Sequence, residues 1–274
     1  MICVLTGVLT RIISNSYLNV FQKFLTNKGN KSSVVNFYTY LGLTLISLSL
    51  IPFAHLSFNS QIVFNFIIMG LLGAFGNYFI IKALSIGELS SLAPINSYKP
   101  VVALIFALFY LKEIPSFTAI FGIFLIVFGT YILHNNISSN KKAVFYRVLA
   151  LFFSGTEAVF IKKIIVLTNI PASFILWAVS GLIFSSFFVI LPKHKFKIHY
   201  EKHLILLIFS VALMQYSTNY VFSKMNVSCA LALFQLSTLL SVFLGVNIFH
   251  EKELKRKIVA SIIMIIGAII IILQ

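Results

Sequence analysis

Lys99 and Glu157 are the residues whose positions most call for chemistry. Leu89 to Leu111 is an apolar run of 23 residues, and Lys99 is its eleventh member. A charged side chain at the centre of a membrane helix costs about 2.5–3.5 kcal/mol on insertion scales and generally faces a bundle interior or a wet path. Next to it, Pro100 has no N–H and its ring clashes with the carbonyl four residues back, that of Asn96. Pro94 does the same to Ser90. Non-helical backbone at membrane depth is tolerated where protein or a cavity satisfies it. The stretch therefore reads as a kinked cavity wall presenting Asn96, Ser97 and Lys99 beside bare carbonyls. The competing reading is a lysine held by a carboxylate, with the prolines shaping packing. Glu157, beside Thr156 in another apolar run, is the counter-charge candidate. It could pair with Lys99, hold a cationic group, carry a proton, or pair locally with Lys162.

Amides complete the set. Asn15 and Asn19 lie one helical turn apart and share a face, as do Gln215 and Asn219, with Tyr216 between them. Gln235, Thr238 and Ser241 follow at intervals of three, and Asn77 stands in a further apolar run. Such groups either build one polar site at mid-membrane or serve as interhelical hydrogen bonds. Trp177 and the many Phe read as lipid-facing or interfacial residues. Gly70, Gly73, Gly76, Gly122 and Gly129 read as close helix packing. Glu88, Glu113, Glu251 and Glu253 fall at segment ends, as capping or loop charges. No nucleotide-binding loop, His/Cys metal spacing or Ser-His-Asp set is present, and the six histidines (55, 134, 194, 199, 203 and 250) lie in loops or at segment ends. Neither a cofactor nor a metal is expected.

The elements that must position these residues follow from composition. The chain has 274 residues, 59% of them hydrophobic and 10% charged, with mean hydropathy +1.01. A soluble domain is about 45–50% apolar and about 25% charged. A bilayer core of ~30 Å takes about 20 helical residues, and runs of that length recur near 2–24, 34–54, 62–84, 89–111, 115–134, 143–166, 171–191, 204–225, 227–249 and 256–273. The expected fold is an all-α polytopic membrane protein with ten transmembrane helices. The first run has no charged lead-in or small-residue cleavage site and reads as a retained helix. Cys3 and Cys229 are too far apart in sequence to suggest a disulfide framework.

The chain also repeats itself. VFQK (20–23) resembles VFIK (159–162), and Gly42 falls on Gly181 at the same offset of 139. NYFIIK (77–82) resembles NYVFSK (219–224), and Glu113, Gly122 and Gly129 match Glu251, Ala260 and Gly267 at an offset of 138. Five spans per half is an odd number, so the halves enter the membrane with opposite orientations. The expectation is two inverted repeats, 1–138 and 139–274, a construction in which transporters place their substrate at the midplane.

The stretch ALSIGELSSLAPINSYKPVVALIFALFYLKEIPSFTAIFGIFLIVFGTYIL (83–133) resembles the drug/metabolite transporter superfamily, in its ten-helix EamA-like branch. It carries an Ala-Leu helix end, small residues, a proline in the fourth helix, Leu-x-Glu and a glycine-bearing fifth helix. The pattern returns more weakly at 225–273, where Thr238 replaces the ninth-helix proline. The resemblance implies a secondary transporter of small organic solutes such as amino acids, often outward, with helices 1, 3, 4, 6, 8 and 9 around a central cavity. A carrier of organic anions or nucleotide precursors, an intramembrane lipid-modifying enzyme and a non-transporting receptor are the rivals.

The net charge of +15 is expected to meet lipid headgroups in the cell membrane, not nucleic acid. Lys28, Lys31, Lys141, Lys142, Lys193, Lys195, Lys197, Lys202, Lys252, Lys255, Arg256 and Lys257 fall on odd-numbered loops; Lys112 is essentially alone on the even ones, with Lys224 at a helix end. The positive-inside rule makes the odd loops cytoplasmic and both termini external, whereas the resemblance implies cytoplasmic termini.

Overall fold

The computed structural model describes residues 2–56, 59–133, 140–192, 198–249 and 257–273. The expectations for His134, Lys193, His194, Lys195, Lys197, His250, Glu251, Lys252, Glu253, Lys255 and Arg256 concern positions outside these residues.

Helices make up the described chain, with no strand among the described residues. They are α1 (Ile2–Asn27), α2 (Ser32–Ser47, continued by a 3-10 stretch Leu48–Phe53), α3 (Ser60–Ile86), α4 (Leu89–Leu92, a 3-10 stretch Ala93–Tyr98, then Lys99–Tyr110) and α5 (Phe117–Leu133). After these come α6 (Lys141–Leu167), α7 (Ile170–Ile190), α8 (Glu201–Phe222), α9 (Val227–Phe234, then Leu236–Phe249) and α10 (Lys257–Ile272). The ends fall within three residues of those read from hydropathy. Asn side chains start several helices: Asn59 accepts from the Ile62 N–H at 2.8 Å and Asn169 from the Ala172 N–H at 3.0 Å. Gly29, at φ +87°, turns the chain between α1 and α2.

Among the described residues, five helical segments are long and apolar enough to cross a membrane: Ser32–Phe53, Ser60–Ile86, Lys141–Leu167, Ile170–Ile190 and Glu201–Phe222. The outer surface is apolar, with Ile105, Phe109, Phe124, Phe145, Phe209 and Ile262 among the exposed side chains. Polar residues are turned inward: Asn19, Gln22, Asn36, Asn65, Gln215 and Asn219 are all buried. That distribution suits a hydrocarbon solvent, and the protein is a multi-pass integral membrane protein.

The packing order shows the inverted repeat. If each helix is exchanged for the one five places away, the most closely packed pairs map onto one another. The α3–α6 pair becomes α8–α1, α4–α6 becomes α9–α1, and α3–α7 becomes α8–α2, while α2–α7, α4–α9 and α5–α10 map onto themselves. Glycines give the direction. A Cβ on Gly122 would stand 2.8 Å from the Gly267 carbonyl, and one on Gly129 would stand 2.9 Å from the Ala260 carbonyl. As the contact advances along α5 it retreats along α10, so the two helices are antiparallel. The contacts cross the sequence repeat: the offset of 138 relates Gly122 to Ala260 and Gly129 to Gly267, whereas Gly122 touches Gly267 and Gly129 touches Ala260, as a two-fold between inverted halves requires.

The bends in α4 and α9 correct two details of the sequence reading. Pro100 was expected to leave the Asn96 carbonyl bare. Instead the chain tightens to 3-10 geometry and the Lys99 N–H bonds that carbonyl. Pro94 lies at the start of the same 3-10 stretch, where a missing N–H costs least. In α9 the interruption occurs without a proline. The Gln235 N–H reaches the Ala232 carbonyl and the Thr238 N–H reaches the Gln235 carbonyl, again three residues back. The bends meet across the repeat, where the Asn96 side-chain amide donates to Gln235 Oε1 at 3.4 Å, 139 residues away.

Candidate functional site

A cavity with about 90 Å³ of space open to the centre of a water molecule lies between the halves. A water needs roughly 10–15 Å³ on this measure, so several waters or a small solute fit. Residues of α1, α2, α3, α4, α6, α7, α8 and α9 line it.

The geometry brings together Asn15, Asn19, Asn77, Asn96, Lys99, Glu157 and Gln215 as lining residues. Lys99 is partly buried just past the 3-10 stretch, and Gly155 of α6 passes near its carbonyl. Among the described residues no ion pair or hydrogen bond joins the Lys99 ammonium to Glu157. The Glu157 carboxylate accepts the Trp177 indole N–H at 2.7 Å. Trp177 packs in turn on Tyr40, with ring centroids 5.2 Å apart. Two glycines make room for this group: a Cβ on Gly73 would run into Glu157 Oε1, and one on Gly181 into the Tyr40 ring.

The amides divide between lining and bracing. Asn77 lines the cavity while it accepts from Gln22 at 3.1 Å and donates to Asn36, tying α1, α2 and α3 together. Asn15 donates to Ser237 Oγ at 2.9 Å, and Asn19 donates to the Asn15 carbonyl at 2.8 Å. Gln215 donates to Asn219, one turn along the same helix, at 2.8 Å. Asn219 is buried behind it toward Ser173 and does not reach the cavity lining. Gln235 and Thr238 are buried at the α9 bend, behind Asn96. Tyr216 is not brought to the cavity: it is 40% exposed and packs edge-on against Phe174.

Beside the lining residues Ile161 and Phe222, a side-chain network ties α6, α8, α9 and the α4–α5 loop together. Lys162 donates to the carbonyls of Phe222 and, at 3.1 Å, Met225, and pairs with Glu113 at 3.5 Å. The other Glu113 oxygen accepts the Val227 N–H at 2.8 Å, capping α9 from the α4–α5 loop. The capping role expected for Glu113 is thus served on a distant helix.

Several lining residues escaped the sequence reading, Trp177, Arg11 and Arg147 the most consequential among them. Trp177 was expected at the lipid and is instead only 6% exposed, on the cavity wall. Arg11 and Arg147 also line the cavity, at 7% and 4% exposure. Arg11 Nε donates to Thr218 at 2.7 Å, and its guanidinium lies 5.0 Å from the centre of the Phe234 ring. Arg147 Nε donates to the Leu92 carbonyl at 3.2 Å. The signal that flagged Lys99, a charge inside an apolar run, applies equally to Arg11.

A model of the EamA-like transporter family matches residues 1–134 and again 141–273. The chain belongs to the EamA-like transporter family. A solved crystal structure, described only as that of a protein, is 13% identical, spans 98% of this chain and 98% of its own, and superposes with a TM-score of 0.71. At that identity the likeness concerns the fold. No curated protein sequence matches the chain. Membership makes this EamA-like protein a membrane transporter of small molecules; the family's members are transporters, not enzymes.

Proposed function

We propose that this EamA-like protein is a secondary transporter that moves a small organic metabolite across the cell membrane by alternating access, as exporter or exchanger. The observation that carries this reading is the position of Lys99 and Glu157. Both face one cavity, at the junction of two interrupted helices from opposite repeats, without pairing to each other. Discontinuous helices at a repeat interface are a recurrent way of building a midplane substrate site. Lys99 takes an acidic group and Glu157 an ammonium, so an amino acid or related zwitterion engages both. Asn15, Asn19, Asn77, Asn96 and Gln215 orient it; Asn219, Gln235 and Thr238 support them from behind.

Purified protein in vesicles loaded with an amino-acid mixture tests the reading. Uptake of labelled solute by exchange is expected without ATP, and Lys99→Ala and Glu157→Gln are expected to abolish it while the protein stays folded. Unchanged exchange kinetics in both variants would remove these residues from the site. Arg11 and Arg147 favour a second reading, an organic-anion carrier, because they add positive charge to the same cavity.

A further inference from the structure

Arg11 and Arg147 sit on the first helix of each repeat, and each leans on the residue just before a helix bend. Arg11 lies against Phe234, the last residue before the α9 bend, and Arg147 bonds Leu92, the last before the 3-10 stretch of α4. A guanidinium carries five N–H donors and keeps its charge in proteins. Each of these makes one hydrogen bond, through Nε, and in each Nη1 is buried with no partner among the described residues. Neither has an ion pair among the described residues. A buried, uncompensated charge is strongly unfavourable. The cavity lining thus carries three cations, Arg11, Lys99 and Arg147, against one carboxylate, Glu157, which is already bonded by Trp177.

We infer that the cavity is built for a solute with two acidic groups, held by Arg11, Arg147 and Lys99, with an ammonium admitted beside them at Glu157. Guanidinium is suited to this because its fork matches the oxygens of a carboxylate or phosphate. A monoacid such as alanine leaves one guanidinium uncompensated. A diacid neutralises the excess, and an amino diacid also engages Glu157. The inference rests on the transport reading for its meaning but not for its test.

Trp177 is the single tryptophan of the chain and lines the cavity, so its fluorescence reports local occupancy. Detergent-purified wild-type protein would be titrated with L-aspartate, succinate, inorganic phosphate, L-alanine and tetramethylammonium, with melting temperature followed in parallel. Saturable responses to aspartate and succinate are expected, at least tenfold tighter than to alanine, with none to tetramethylammonium. Phosphate separates the sources of the anion: a response as tight as that to succinate assigns the site to phosphate esters, still diacidic. Arg11→Gln and Arg147→Gln should each weaken aspartate binding ten- to a hundredfold, the range for loss of one charge-assisted hydrogen bond, with Arg→Lys retaining part of it. Alanine binding as tightly as aspartate in the wild type would overturn the inference, even if neither arginine variant folds. So would folded arginine variants with unchanged aspartate affinity. Aspartate binding without exchange in vesicles would instead sink the transport reading and leave the diacid site standing.

Discussion

Glu113→Gln should loosen the tie between the α4–α5 loop, α6 and the start of α9, and the native cysteine beside it gives the readout. The carboxylate pairs with Lys162 at 3.5 Å and caps the Val227 N–H at 2.8 Å, with both side chains of the pair only about 13–14% exposed. Glutamine keeps an acceptor for Val227 and removes the charge. At an effective dielectric of about 20, unit charges at that distance attract by about 5 kcal/mol. Much of that offsets desolvation, and Lys162 keeps its bonds to the Phe222 and Met225 carbonyls. The net loss is therefore about 1–2 kcal/mol, a roughly five- to thirtyfold rise in the open population. Cys229, two residues beyond the capped amide, is 7% exposed, whereas Cys3 is exposed. In a Cys3→Ser background, the rate at which a small polar maleimide labels Cys229 should rise by that five- to thirtyfold factor in Glu113→Gln. Lys162→Gln should produce a similar rise, and the double variant little more. An unchanged labelling rate in a folded Glu113→Gln protein would refute the assignment of this contact as the tie that holds the start of α9.

Two further predictions address the scaffold. Gly267→Leu places a Cβ 2.7 Å from the Gly122 carbonyl and 3.0 Å from the Ile126 side chain. Because backbone cannot yield as a side chain can, the α5–α10 crossing must spread, at a cost of about 1–3 kcal/mol. A fall in melting temperature in detergent is expected, and an unchanged melt would mean that the close crossing is not formed. A C-terminal fusion reads orientation. The basic odd-numbered loops predict an external terminus, so alkaline phosphatase should be active there and green fluorescent protein dark; the reverse would favour the cytoplasmic termini that the family resemblance implies.

Depth was legible in the sequence, and direction around each helix was only partly so. Lys99 stood out because a charge in the middle of a long apolar run has few places to go, and it does face the cavity. Gln215 and Asn219 share a face by spacing alone, but which lines the cavity and which stands behind it depends on α7, through Ser173. Tyr216, one residue from Gln215, is turned about 100° away by helix geometry, and that step already argued against grouping the two. The α4 interruption was marked by its prolines. The α9 interruption has no such mark, and only the offset that places Gln235 opposite Asn96 hints at it. Arg11 was lost among the polar residues that dilute the apolar character of α1. Trp177 was misjudged because an indole N–H suits an interface as well as a buried carboxylate, and the carboxylate that decides the matter lies 20 residues away on another helix.

The most direct test is the reactivity of a cysteine placed at residue 99. With Cys3 and Cys229 replaced by Ser, Lys99→Cys should react with a small, charged, membrane-impermeant thiol reagent far faster than Ile105→Cys, whose parent side chain on the same helix is 52% exposed on the apolar outer surface. Equal, negligible labelling at both positions would place residue 99 out of reach of water and contradict a wet cavity between the two inverted repeats.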